Sequence, residues 1–327
     1  MSAGEHLELP PAKQRVERKA VRLEYLTIAY LISAIFLIYL TLGSSQAMKT
    51  AWAEDILSLI PPIAFLIAKR VRKRQPDQDH PYGWHGITSI AYLVSALALL
   101  TMGTLLILDA AVKLLSFEHP SIGVVTLFGH HVWLGWLMIP AALYSAIPAA
   151  LLGRRKLPLA GELHDKVLFA DAKMNKADWL TGLAASLGVL GIAWGLWWAD
   201  AVAALVISTD ILHDGVSNIR VAVSDLMNSR PQRVDQSGTD PLPQRVANEM
   251  RTFDWVRDVR VRMREEGHVY FGEVFVEASA DDDLPRRIER ARQHLKALDW
   301  RLHDIVITPV PAGEGDEAST AGPGRDA

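Results

Sequence analysis

The sequence predicts an α-helical membrane protein of six transmembrane helices followed by a small cytoplasmic α+β domain. Three observations lead there. Half of the 327 residues are apolar, and they bunch in the first two thirds of the chain in runs of about twenty, the length that crosses a hydrocarbon core. Basic clusters sit at alternate ends of those runs. The last third then switches to short alternating stretches between two segments of helical spacing, which is how a small sheet covered by helices reads. The chain has no cysteine, so disulfides, thiolate metal sites and cysteine nucleophiles are excluded. No phosphate-cradling loop is present, which argues against an ATP-driven pump, and neither a nucleotide nor a nucleic acid is expected as a partner.

Taken in order, residues 1–22 form a basic cytoplasmic segment with no cleavable signal peptide. The spans are read as 23–45, 48–68, 87–115, 124–152, 167–198 and 199–227, together a domain over 23–227. A polar linker follows at 228–240. Within a domain over 241–311, helical spacing at 241–253 and 284–298 and alternation at 256–264, 268–278 and 301–310 give the order αββαβ. Residues 312–327, rich in Gly, Ala, Pro and acid, are expected to be disordered. Lys13, Arg15, Arg18, Lys19 and Arg22 precede the first span, Lys69, Arg70, Arg72, Lys73 and Arg74 follow the second, and Arg154, Arg155 and Lys156 follow the fourth. The positive-inside rule then places both termini in the cytoplasm of a protein of the plasma (inner) membrane. Trp133, Trp136, Trp194, Trp197 and Trp198 fall where an aromatic belt on the lipid bilayer belongs, with His130 and His131 beside them.

The stretch 51–69, AWAEDILSLIPPIAFLIAK, carries the candidate site. Glu54 and Asp55 lie inside an apolar run, where an unpaired charge is costly and therefore points to function. Pro61 and Pro62 have no N–H, so the carbonyls of Leu57 and Ser58 lose their helical partners. Carboxylates, the Ser58 hydroxyl and freed carbonyls make an oxygen-rich surface of the kind on which a broken helix coordinates a cation. The bland alternative is a proline kink with two snorkelling acids. In the fifth run His164, Asp171, Met174, Asn175 and Asp178 share a stripe of about 60 degrees at helical spacing, with Lys173 and Lys176 on the other side. Asp178 is the deepest acid; Asp171 suits a pairing with lysines at the rim.

His80-Pro81-Tyr82-Gly83 opening the third span, Asp109-Ala110-Ala111-Val112-Lys113 near its end, the acids in the second and fifth spans and the αββαβ domain together resemble the cation diffusion facilitator family. The resemblance covers residues 23–311. It implies a homodimeric antiporter that exports a divalent metal in exchange for protons, with metal as substrate and no cofactor. It also implies a four-ligand site at Glu54, Ser58, Met174 and Asp178, of which two match in type, while Asp55 and Asn175 stand beside the two that depart. Without histidine the set favours Mn²⁺, Fe²⁺ or Mg²⁺ over Zn²⁺. A second, loop metal site is implied at Asp77, Asp79, His80 and His85, although Trp84 replaces a family histidine. The histidine positions of the family's soluble domain, which fall near Phe275 and Thr308, are not histidine here, so a dimer would rest on packing. His268, His294 and His303 read as surface histidines.

Metal and protons would compete for the same carboxylates, so alternate opening to the two sides would couple their movements. Counting from His80 favours Glu54 as principal ligand, and helical geometry lets Asp55 share. Two rivals stand beside this reading: a membrane sensor or scaffold with a degenerate metal site, and a channel or carrier for a non-metal cation.

Overall fold

The structure is a computed structural model, which describes residues 9–41, 46–116, 124–127, 130–133, 135–193, 195–196, 198–279 and 283–311. The tail expected to be disordered at 312–327, Trp194 and Trp197, and the side chains of His130 and Trp133 lie outside the described part.

Helix α1 (Pro11–Thr41) opens on a proline, which has no N–H to waste at a helix start, and runs from the basic segment straight into the first apolar run. The second run is two helices, α2 (Gln46–Leu57) and α3 (Ile60–Arg72), with Pro61 and Pro62 in the first turn of α3. The break thus falls at Ser58 and Leu59, one turn after the two acids. Helix α4 (Ile87–Leu115) follows. The fourth run departs from expectation. Its first residues form a hairpin, β1 (Val124–Leu127) against β2 (His130–Trp133), and α5 begins only at Gly135 and ends at Leu163. Val124, Val125, Thr126 and Val132 are β-branched and flank Gly129, a strand signal that an apolar count hides. Helices α6 (Lys166–Ala193) and α7 (Ala199–Leu226) complete the helical part. Among the described residues, three helical stretches, Pro11–Tyr39, Ile87–Leu115 and Trp136–Leu163, are long and apolar enough to cross a membrane by length and composition.

Small residues let helices touch backbone to backbone. A Cβ on Gly103 of α4 would come within 2.9 Å of the Leu212 nitrogen, and one on Gly215 of α7 within 2.7 Å of the Leu100 Cα. Helices α4 and α7 therefore press together backbone to backbone at two neighbouring places less than one turn apart. On the other side of the bundle, a Cβ on Gly182 of α6 would stand 2.8 Å from Ala146 Cβ of α5.

The C-terminal part is a small sheet domain of α8 (Leu242–Met250), β3 (Val256–Glu266), β4 (Val269–Ala278), α9 (Leu284–Leu298) and β5 (Leu302–Val310). Strand order is β3-β4-β5, antiparallel and then parallel. The parallel pair needs a crossover, which α9 supplies. Val246 and Met250 of α8 and Leu295 of α9 bury against Val259, Val274 and Ile305 of the sheet. Its β3–β4 turn docks on the start of α4. Gly267 takes φ +67, and a Cβ there would meet Thr88 Cβ at 2.7 Å and the His85 carbonyl at 3.0 Å. His268 beside it is 5% exposed, which corrects the surface reading. Only docking against the helical part buries it, and the chain's local pattern carries no sign of that. His294 stays at the surface, bonded to Glu249 at 2.7 Å.

Candidate functional site

Of the six membrane residues singled out, all are buried. The break between α2 and α3 turns Ser58 toward α6, where its hydroxyl donates to Asp178 Oδ1 at 2.7 Å. That bond joins the second and fifth runs. Asp55 shares a hydrogen bond with the Ser145 side chain of α5, and its Oδ2 has no hydrogen-bond partner among the described residues. The Ser145 carbonyl in turn accepts from Tyr30 of α1. Glu54 lies within electrostatic reach of Asp55, Asp178 and Asp109, and Asp109 is itself paired with Lys113 at 2.5 Å. Oxygen donors from α2 and α6 thus face one interior region lined by α1, α4 and α5.

Two predicted members point elsewhere. The Asn175 amide donates to the Asp171 carbonyl at 2.8 Å, an intrahelical bond. Met174 is fully buried among Leu99, Met102, Leu106 and Ile211, an apolar cluster between α4, α6 and α7. His164 leaves the predicted stripe altogether. It precedes α6 with φ +50, so its ring turns away from the bundle interior to Tyr270 at 2.9 Å and Glu265 at 3.3 Å. Lys173 and Lys176 do face away from the site, pairing with Asp214 at 2.9 Å and Asp210 at 2.6 Å on α7.

In the loop between α3 and α4, Asp77 and His80 meet, Oδ1 to Nδ1 at 3.1 Å. Trp84 stacks on the His80 ring at 3.6 Å. His85 is turned away, its ring 4.7 Å from that of His303 in the soluble part. Asp79 is exposed. Among the described residues no three histidine, aspartate or glutamate side chains already converge as a metal cage.

Residues 25–227 match the family model of the cation efflux transmembrane domain. The chain belongs to the cation diffusion facilitator family. Relatives include the manganese efflux system proteins MneS and MneP of Bacillus subtilis. MneS is 25% identical over 279 residues, 83% of this chain and 90% of MneS. MneP is 26% identical over 273 residues, 80% of this chain and 84% of MneP. The magnetosome protein MamB of Magnetospirillum gryphiswaldense is 24% identical over half of this chain. A cation diffusion facilitator is an integral membrane exporter of cations and not an enzyme.

Two charged features of this facilitator escape a sequence reading. The Lys156 ammonium is fully buried between Glu24 of α1, at 3.0 Å, and Asp171 of α6. Lys156 looks in sequence like one more residue of a basic rim cluster, and Asp171 finds this lysine on α5 rather than one on its own helix. One carboxylate oxygen of each acid lacks a hydrogen-bond partner among the described residues. The other feature is the junction between the helices and the soluble domain. Lys166 at the start of α6 bonds Asp225 of α7 at 2.7 Å and Glu265 of β3 at 3.0 Å. His268 Nδ1 donates to the His164 carbonyl at 3.2 Å, and its Nε2 lies 3.3 Å from Asp165 Oδ2. Burial, then the nearby Arg72, pushes the His268 imidazole well below its usual range. Burial raises the Asp165 carboxyl to about 6 against bonds from the Leu168 backbone. The start of α6 is therefore tied to the soluble domain by side chains on both.

Proposed function

We propose that the chain is a homodimeric antiporter that exports a divalent metal, Mn²⁺ first, in exchange for protons. In this reading α1, the α2–α3 pair, α4, α5, α6 and α7 are six spans over 23–227 of the plasma membrane, with both termini and the ferredoxin-like 241–311 domain in the cytoplasm. The observation that supports the site most directly is the Ser58 to Asp178 hydrogen bond. It places a freed-carbonyl helix break against a buried acid, with Glu54 and Asp55 one turn away.

Glu54, Asp55 and Asp178 supply carboxylate oxygens, Ser58 a hydroxyl, and Leu57 and Ser58 carbonyls with no N–H opposite them. Such a set suits a hard or borderline dication better than Zn²⁺, in keeping with relatives named for manganese efflux. Asn175 and Met174 would join only after a small rotation of α6. Asp178 accepts one hydrogen bond from Ser58, and Asp55 has a bare oxygen. Both can take a proton or give it up to an arriving cation. With metal bound the protons leave; with metal released on the far side they return, and alternating access turns this competition into exchange.

Reconstituted protein tests it. Vesicles loaded with a pH-sensitive dye should show proton movement opposite to Mn²⁺ uptake, lost in Asp178→Asn. Mn²⁺ movement without any proton signal would refute exchange, and Zn²⁺ transported as well as Mn²⁺ would refute the metal assignment.

A further inference from the structure

Between α1, the end of α3, the loop before α4 and the soluble domain lies a cavity of about 950 Å³. Its described lining is strongly cationic. Arg18, Lys69, Arg72, Lys73 and Arg74 come from the helical side and Arg292 and Lys296 from α9, against the carboxylates of Glu17, Glu289 and Asp304. Internal pairing uses up much of that negative charge. Glu17 accepts from Arg72 at 2.9 Å with Lys69 at 3.8 Å on its other oxygen, and Glu289 accepts from Arg292 at 2.9 Å. Positive charge is left in excess on the helical wall, where five cations face Glu17 alone, and a concavity lined in this way draws anions into it.

Size, chemistry and height narrow the ligand. The volume falls in the range of small-molecule sites. Tyr82 and Phe271, edge to face with centroids 6.1 Å apart, line the cavity beside the cations. Lys69 follows directly on the apolar run that ends at Ala68, so the cavity mouth sits where a bilayer carries its phosphates. Lysine and arginine clusters at that level hold anionic headgroups, and arginine suits phosphate through paired N–H donors.

We propose that this cavity binds a phosphate-bearing anion, held by Arg18, Lys73 and Arg74 on its helical wall. The site is separate from the carboxylates of the transport reading and does not depend on it. The anion can be the headgroup of an acidic phospholipid or a soluble diphosphate.

The test uses the full-length protein in mild detergent, titrated separately with short-chain phosphatidylglycerol, short-chain phosphatidylcholine and sodium pyrophosphate. Binding is read by native mass spectrometry and by thermal shift. Saturable binding of phosphatidylglycerol or of pyrophosphate, weakened at least tenfold in Lys73→Gln/Arg74→Gln and by added salt, is expected; both residues are exposed, so the variant folds. Arg260→Gln, an exposed arginine on the far strand, should bind as the unaltered protein does. Phosphatidylglycerol alone would identify a lipid headgroup, and pyrophosphate at comparable affinity a soluble phosphate. The proposal is overturned if neither binds, if phosphatidylcholine binds equally well, or if Lys73→Gln/Arg74→Gln leaves binding unchanged.

Discussion

Ser58 Oγ donates to Asp178 Oδ1 across 2.7 Å, which ties the interruption between α2 and α3 to the middle of α6. A hydrogen bond to an ionised carboxylate contributes about 1.5–3 kcal/mol. Ser58→Ala should therefore weaken Mn²⁺ transport roughly tenfold or more without unfolding the protein. Asp178→Asn should abolish it. Transport assays in vesicles with both variants check this, and an unimpaired Ser58→Ala would remove Ser58 from the site.

Glu54→Gln and Asp55→Asn should each stop metal-driven proton movement while the protein stays folded. Both side chains are buried, and among the described residues Asp55 Oδ2 has no partner to satisfy it structurally. Lys173→Ala should be nearly silent, because Lys176 stays 3.6 Å from the Asp214 left behind. Normal transport by Asp55→Asn would assign Asp55 a structural part only.

The helix break was readable because Pro61 and Pro62 cannot donate backbone bonds, a local property. The soluble domain was readable for a similar reason, since Leu284–Leu298 and the three strands follow their own periodicity. What escaped depends on distant partners. Met174 shares a helical stripe with Asp178, yet Leu99 and Ile211 claim its side chain. His164 counts as part of that stripe only if the helix is continuous through it, and a left-handed backbone at φ +50 cuts it off. The burial of Lys156 between two acids needs α1 and α6 to be neighbours of α5, which no single segment encodes.

Lys156→Met should destabilise the fold strongly. Removing one member of a buried ionic cluster leaves the others uncompensated, at about 3–5 kcal/mol. Here two carboxylates, Glu24 and Asp171, would share an interior without a cation. Thermal unfolding in detergent should show a clear loss for Lys156→Met and a partial recovery when Glu24→Gln and Asp171→Asn are added. A wild-type melting point for Lys156→Met would mean that the cluster contributes little.

The junction should respond to pH in a signed way. The folded state holds His268 neutral, with its proton affinity pushed below the ordinary value near 6.5. The stability it contributes is then complete above about pH 6.5 and is lost as pH falls toward the depressed folded value. Asp165, raised to about 6, acts with the opposite sign, its contribution being lost as pH rises through 6. The stability difference between the unaltered protein and His268→Gln should therefore shrink on acidification below pH 6.5 and stay level above pH 7. A difference constant from pH 5 to 8 would show that the imidazole is not held neutral.

The glycine contacts at Gly103 and Gly215 have a mechanical corollary. Where one helix backbone rests on another with no Cβ between them, as α4 rests on α7 near Leu212 and Leu100, sliding would drive bulkier neighbours into the gap. These two helices should then travel as a single strut. Spin labels placed one on each should report the same separation at high and low metal, whereas a pair spanning α4 and α6 should not. Since Ser58 and Asp178 belong to neither member of that strut, the cation would lie on the sliding face beside it, and the strut would serve as the fixed rail along which the rest of the machine shifts.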